Sequence, residues 1–469
     1  YAALMAGGGI GKVVFAGDAD GSRLVEVIET GDMPRGNLKV STTELAMLKT
    51  WITEGARFDG TDPNAALGSL TAAAPAPAPN APQPAPAVQP PNGKETVSFA
   101  AHVAPILAAQ CLDCHGTNNP RANFSMANFQ RLLAGGDNGS PVIPGNGATS
   151  LLVQKLKGTA PDGACMPVNR PALPAHPLPT IDQWITEGAK FDGPSPTADL
   201  ARVAAIAEAG NASHEELAAK RVEFAEQNWR LALSGVKQNK FEGENVLLMG
   251  NMGDAALGSL GAQADAVVPR VAEILGADTT KPFVKGRVTV FLIDQRYDYS
   301  EFGRMVEQRS IPKEWRGHWN FSVVDAYGVA MPGGGGEYSL DALFAQVLAG
   351  NHVASLGEVP RWFSEGSARM VASRIAEKTD IRIKEWDDAL PAVFAALRSP
   401  DDLLGGKLPP EDTDLASYSL VKYLAGKDRN YKALLADLRA GQPFDAAFNK
   451  AYGGPPAKLI TEWASKGGR

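Results

Sequence analysis

Cysteine and histidine are scarce in this chain of 469 residues, with three of the first and six of the second. Three cysteines exclude a disulfide framework, and so few imidazoles leave little with which to complete a four-ligand zinc site. No apolar run approaches the ~20 residues of a membrane span. Basic charge is not in excess either. The 45 Lys and Arg stand against 52 Asp and Glu, for a net charge of −7, which excludes the electrostatic footprint of a nucleic-acid binder. No secretory leader is present and the chain starts at Tyr1 rather than Met, so a processed or incomplete chain is expected. The apolar content of 44% and charged content of 21% are those of ordinary globular domains, and the length suggests about three of them at ~150 residues each.

Two of the three cysteines stand together in Cys111-Leu112-Asp113-Cys114-His115. The spacing is that of a c-type haem attachment site. Two thiols three residues apart on one helical turn face the same way, so both can add to the vinyl groups of one porphyrin, and the adjacent imidazole meets the iron. A thioether is the usual ligand on the other side in electron-transfer cytochromes. The competing readings are a zinc half-site, which wants two more ligands, and a redox dithiol, which has no reason to be followed by His.

The chain also repeats itself. Trp51-Ile52-Thr53-Glu54-Gly55-Ala56-Arg57-Phe58-Asp59-Gly60 recurs as Trp184-Ile185-Thr186-Glu187-Gly188-Ala189-Lys190-Phe191-Asp192-Gly193. Leu4-Met5-Ala6-Gly7-Gly8 matches Leu132-Leu133-Ala134-Gly135-Gly136, and Gly17, Ser22 and Leu24 match Gly145, Ser150 and Leu152. An insertion near 160–165 shifts the register, and beyond it Met33-Pro34 matches Met166-Pro167. The pattern is that of a duplicated domain. Tyr1 corresponds to a position beyond the second CxxCH, so residues 1–62 are a partial copy without an attachment motif. Three explanations stand: a beginning that is missing, a structural remnant, or a half supplied by another polypeptide. Half a small domain buries little core, which favours the missing beginning.

Residues 63–94 are rich in Ala and Pro and read as an extended, semi-rigid linker. The complete copy spans 95–197. Helices are expected over 99–110, 130–134, 150–157 and 179–188, with Leu151, Leu152, Val153 and Leu156 marking one apolar face. This domain resembles the planctomycete-type cytochrome c domain. The likeness rests on Pro105-Ile106-Leu107, the Cys111–His115 motif, Gly135-Gly136, Pro144-Gly145, Ser150-Leu151-Leu152, Met166-Pro167, Trp184-Ile185 and Gly188-Ala189. The resemblance implies a small all-α domain with haem c on Cys111 and Cys114, His115 as proximal ligand and Met166 as distal ligand. Met33 would serve the iron of a second haem anchored upstream of Tyr1. Met126, His102 and His176 are the other candidates for the sixth ligand. The Met-Pro position is favoured because it recurs in both copies. Cys165, beside Met166, reads as a small buried thiol.

After a helical connector at 198–243, in which Ser213, Glu215 and Glu216 look like a helix start over 215–233, the pattern alternates between strands and helices. Strands are expected at 245–249, 287–293 and within 319–330, and helices at 264–275, 340–351 and 363–376. Residues 244–469 resemble the gluzincin-type metallopeptidase domains called peptidase MA-like. The strand Val288-Thr289-Val290-Phe291-Leu292, the Pro360-Arg361-Trp362-Phe363-Ser364-Glu365-Gly366 segment, Tyr418 to Leu424, and Ile460-Thr461-Glu462-Trp463 carry this likeness. The resemblance implies an α+β domain with two histidines one turn apart, a general base beside the first, and a glutamate as third zinc ligand. In this chain the corresponding helix reads Leu348-Ala349-Gly350-Asn351-His352. Leu348 replaces the first histidine and Ala349 the base. His352 and Glu365 alone do not close a zinc site, and their expected role is hydrogen bonding within a former cleft.

The expectation is therefore a multidomain, extracytoplasmic c-type cytochrome that transfers single electrons. It would hold one covalent haem, and a second if the chain extends upstream of Tyr1, with no zinc and no catalytic residue. A redox protein or a neighbouring haem protein would be its partner, within a larger assembly. The alternative is a scaffold that captures a partner in the former peptidase cleft.

Overall fold

Three short helices make up the first of two units, Tyr1–Pro84, in a computed structural model that describes residues 1–7, 11–35, 40–58, 62–64, 87–118, 120–161, 165–168, 177–332, 338–376 and 380–465. They are α1 (Ala2–Ala6), α2 (Arg23–Glu29) and α3 (Thr42–Thr53). Helix α3 starts where its sequence supplies a capping box: the Ser41 hydroxyl accepts the Glu44 N–H, and the Glu44 carboxylate accepts the Ser41 N–H. The core is small, with Val14, Val25, Ile52 and Ala56 buried.

The second unit, Ala85–Arg469, begins with a π-helical turn, Phe99–Val103, that continues into α4 (Ala104–His115). Ser98 Oγ accepts the Ala101 N–H and Asp192 accepts the Ala100 N–H. These bonds satisfy donors that the first helical turn would leave unpaired. Then come α5 (Phe129–Ala134), α6 (Leu151–Lys157), α7 (Pro177–Thr186) and α8 (Leu200–Asn211). Their apolar faces bury Phe99, Leu107, Phe129, Leu152, Trp184 and Ile185 in one core. Each large side chain contributes about 1.5–3 kcal/mol by leaving water.

Matching positions in the two units make matching bonds. The indole N–H groups of Trp51 and Trp184 donate to the carbonyls of Arg57 and Lys190, both at 2.8 Å. The Ser22 and Ser150 hydroxyls accept the N–H groups of Phe15 and Ile143, both at 2.8 Å. The Met33 N–H donates to Val27 and the Met166 N–H to Lys155, both at 2.9 Å, and both Met-Pro bonds are cis. Gly7 and Gly135 both have positive φ, and a Cβ on either would strike the carbonyl oxygen of Gly11 or Gly139.

Two sequence boundaries shift. Of the linker, 65–86 lies outside the described residues. Its later part belongs to the helical domain around α4: Val88 packs on that core and the Gln89 carbonyl accepts the Phe191 N–H at 3.0 Å. The segment 198–243 is not a free-standing connector. Leu200 and Val203 of α8 are buried in the core around α4, whereas Trp229 of α9 (His214–Ala232) is buried against a β-sheet. Ser213 caps α9 through a box with Glu216.

That sheet has five strands, β1 (Asn239–Glu242), β2 (Val246–Gly250), β3 (Val288–Leu292), β4 (Gly317–Phe321) and β5 (Ala326–Ala330), in the order β1-β2-β3-β5-β4. The central β2, β3 and β5 run parallel and the two edges antiparallel. The stretch 319–330 therefore holds parts of two strands, not one. Both faces are covered, which is why β2 and β3 read as continuous apolar runs. Leu247, Met249 and Phe291 meet α9 and α11 (Arg296–Met305), while Leu248, Val290 and Leu292 meet α10 (Asp254–Leu275) and α12 (Leu340–Ala354). The remaining helices are α13 (Arg361–Ile375), α14 (Ile381–Ala396), α15 (Pro400–Leu404), α16 (Pro410–Ala425), α17 (Asp428–Arg439), α18 (Phe444–Tyr452) and α19 (Pro456–Ser465). The protein is thus mostly helical, with one small mixed sheet.

Candidate functional site

The last turn of α4 carries Cys111, Cys114 and His115 to the wall of a cleft that opens to solvent. Met166 and Pro167 line the same cleft, with Phe124, Met126, Leu152 and Leu156. Residues 55 positions apart in the sequence therefore meet at one cleft. Burial, and to a lesser degree the neighbouring Cys114, push the Cys111 thiol up to about 11. A thiol this resistant to ionisation does not suit a redox dithiol.

His115 is held by its surroundings. Its Nδ1 lies 2.9 Å from the Phe124 carbonyl oxygen. A carbonyl can only accept, so Nδ1 carries the proton and Nε2 keeps its lone pair for a metal. The loop that supplies this carbonyl is fastened on both sides. The Met126 N–H donates to the His115 carbonyl at 2.6 Å, and the Ser125 hydroxyl donates to the Gly116 carbonyl at 2.9 Å. Residue-type reasoning missed Phe124, because a backbone carbonyl leaves no signature in a sequence.

The other candidates separate. Met126 also borders the cleft, but it is 3% exposed and belongs to the domain core. Met166 is only half-buried and borders the cleft beside Pro167 and Val168. His102 is exposed, is absent from the cleft wall, and uses Nδ1 to accept the Ser98 N–H at 3.0 Å. His176 lies outside the described residues. Cys165 corrects the reading as a buried thiol: it is exposed, with Sγ 3.8 Å from the Met166 carbonyl oxygen. The short loop that presents Met166 to the cleft leaves its neighbour on the outside. Met33 in the first unit is 45% exposed. Arg121 and Lys155, unremarked in the sequence, are basic groups of the cleft wall.

The residues singled out in the C-terminal half occupy different surroundings. His352 is buried on α12, stacked on Phe283 at 4.3 Å between ring centres. Its Nδ1 donates to the Phe283 carbonyl at 2.7 Å and Nε2 faces the Arg439 guanidinium at 3.3 Å. Burial, with Arg439 adding to it, lowers its pKa to about 4. Glu365 on α13 is bound elsewhere. Arg369 donates to it at 2.9 Å and Arg361 at 3.2 Å. Burial opposes its charge, but these two guanidinium groups prevail and hold the carboxyl below its usual range. Arg369, itself buried, also pairs with Glu411 at 3.0 Å and Asp414 at 3.3 Å. Leu348 and Ala349 are buried in the apolar core. His352 and Glu365 thus do not share a hydrogen-bonded cleft; each is saturated by its own partners. Among the described residues no group of three or more His, Cys, Asp or Glu is placed to hold a metal ion.

Two thiols, an oriented imidazole and a thioether around one cleft are the donor set of a c-type haem site, and the residues present fit that group. The family described as Planctomycete cytochrome C matches residues 111–167, from the first cysteine of the motif to the proline after Met166. That segment is a cytochrome c domain. The match covers the cleft and says nothing of residues 244–469. No curated protein matches the chain.

Proposed function

We propose that the protein is an extracytoplasmic c-type cytochrome that carries single electrons. The observation that carries this reading is the cleft, which gathers Cys111, Cys114, His115 and Met166 within the matched segment. Cys111 and Cys114 would hold a haem covalently, and His115 and Met166 would be its axial ligands. A haem so bound supplies a one-electron couple, whose potential thioether ligation raises. The chain's own part is to orient the imidazole through Phe124, exclude water with Leu152 and Leu156, and hold Met166 at the cleft through the Lys155 carbonyl. Met166→Ala tests the assignment: the thioether-to-iron absorption feature is expected to vanish, and its persistence would remove Met166 from the site.

The matched bonds of the two units support a duplicated haem domain, with Met33 as the counterpart of Met166. Met33 would then serve the iron of a second haem. Covalent haem attachment takes place outside the cytoplasm, and among the described residues no helix is long and apolar enough to cross a membrane. For 244–469 the reading is a gluzincin-like region without hydrolytic chemistry that serves in docking or assembly. The saturated His352 and Glu365 support it. A redox protein or a neighbouring haem protein is the partner this role requires.

A further inference from the structure

The Phe124 carbonyl that orients His115 depends on an approach of two backbones that only a glycine permits. Gly136 follows α5 and lies against the 122–124 loop. A Cβ at this position would sit 2.5 Å from the Ala122 carbonyl oxygen and 2.7 Å from both the backbone nitrogen and the Cβ of Phe124. These are mostly main-chain atoms, which cannot swing aside as the end of a side chain can. Around this contact the loop is fastened to the same turn twice more. The Asp137 N–H donates to the Ala122 carbonyl at 2.9 Å, and the Asn123 side-chain amide donates to the Asp137 carboxylate at 2.8 Å. Ala122 and Asn123 both hold positive φ, of 56° and 51°, a conformation that is costly for residues with a Cβ and that persists where the surroundings impose it.

We infer that Gly136 is a positioning residue for the proximal ligand: its missing side chain lets the 122–124 loop close down, and the closed loop aims the Phe124 carbonyl at His115 Nδ1. The inference rests on His115 being the proximal ligand. A hydrogen bond to Nδ1 makes the imidazole a stronger donor to iron, and such bonds tune haem potentials. Gly136→Ala pushes the loop away, weakens that bond and so favours the reduced iron.

The test uses the full haem-loaded chain. In Gly136→Ala the covalent haem mass stays, the midpoint potential rises, and the His115 Nδ1 proton exchanges with solvent about fivefold faster, as expected on losing a hydrogen bond of ordinary net strength. Gly210→Ala is the control, because Gly210, like Gly136, does not have positive φ, and nothing lies near its added Cβ. Asn123→Ala removes the tie to Asp137 without a clash and without changing the charge of the cleft wall, and a smaller rise in potential is expected. An unchanged potential in Gly136→Ala, or a shift no larger than that of the control, overturns the inference. If Gly136→Ala does not fold, Asn123→Ala decides: a rise supports the inference and an unchanged potential overturns it. If His115 is not an iron ligand, His115→Ala keeps the native haem spectrum. That outcome removes the function reading itself and is distinct from a failure of the Gly136 argument.

Discussion

His115 and His352 begin alike and end differently. Each donates Nδ1–H to a phenylalanine carbonyl, Phe124 at 2.9 Å and Phe283 at 2.7 Å. At His115 the other nitrogen belongs to a ring that borders an open cleft beside two thiols. At His352 the other nitrogen faces the Arg439 guanidinium, and the ring is pressed on Phe283 inside a packed core. The shared bond fixes the tautomer in both. What separates a histidine free to bind from a core histidine is the space in front of the second nitrogen and the charge that fills it. In the C-terminal half the same holds for Glu365, whose oxygens are taken by Arg361 and Arg369. A guanidinium pair stands where a metal-binding carboxylate would need a cation.

The contrast can be broken most strongly from the cleft side. Replacing both Cys111 and Cys114 by Ser is expected to abolish covalent haem while leaving the fold of 244–469 intact, as read by intact mass and circular dichroism. On the other side Arg369→Ala leaves the buried Glu365 and Asp414 and the half-buried Glu411 without their shared cation. About 3–5 kcal/mol of stability should be lost, the usual cost of breaking a buried pair, with the haem spectrum unchanged before unfolding. Chemical denaturation measures this.

His352 supplies a pH signature of somewhat smaller size. Its folded pKa of about 4 lies below the ordinary 6.5, so between these values the unfolded chain binds the extra proton. Stability from this group is complete above pH 6.5 and is lost as pH falls toward 4, by roughly 3 kcal/mol in all. His352→Gln should flatten that part of the stability–pH curve. Zinc content after purification in metal-free buffer should stay far below one per chain. The smallest effect is expected at Cys165: alkylation of the native chain should proceed readily and Cys165→Ser should leave the haem spectrum as it is. Protection of the thiol would place it in the site after all.

That Cys111, Cys114 and His115 border one cleft was legible because the proposed attachment chemistry fixes residue type and spacing together, and that Met166 borders it was legible because Met-Pro occurs twice. Helix starts with a side-chain signal, such as Ser213 with Glu216, could be read directly. The first half of α10, from Asp254, was missed because its Ala and Gly residues carry little apolar periodicity. Strand β1 was missed because Asn239–Glu242 alternates half-buried and exposed polar residues. Helix α8 looked like connector because its Ala-rich face hides how Leu200 and Val203 enter the core around α4. The grip on His115 was invisible for a simpler reason: it is made by backbone atoms of Phe124, and the glycine that admits them lies after another helix.

The most direct measurement is an intact mass of the natively purified chain, followed by peptide mapping of the adduct. The account predicts a haem adduct on the peptide that carries Cys111 and Cys114, lost when both are Ser. An unmodified chain, or zinc or a disulfide at these two cysteines, would contradict it.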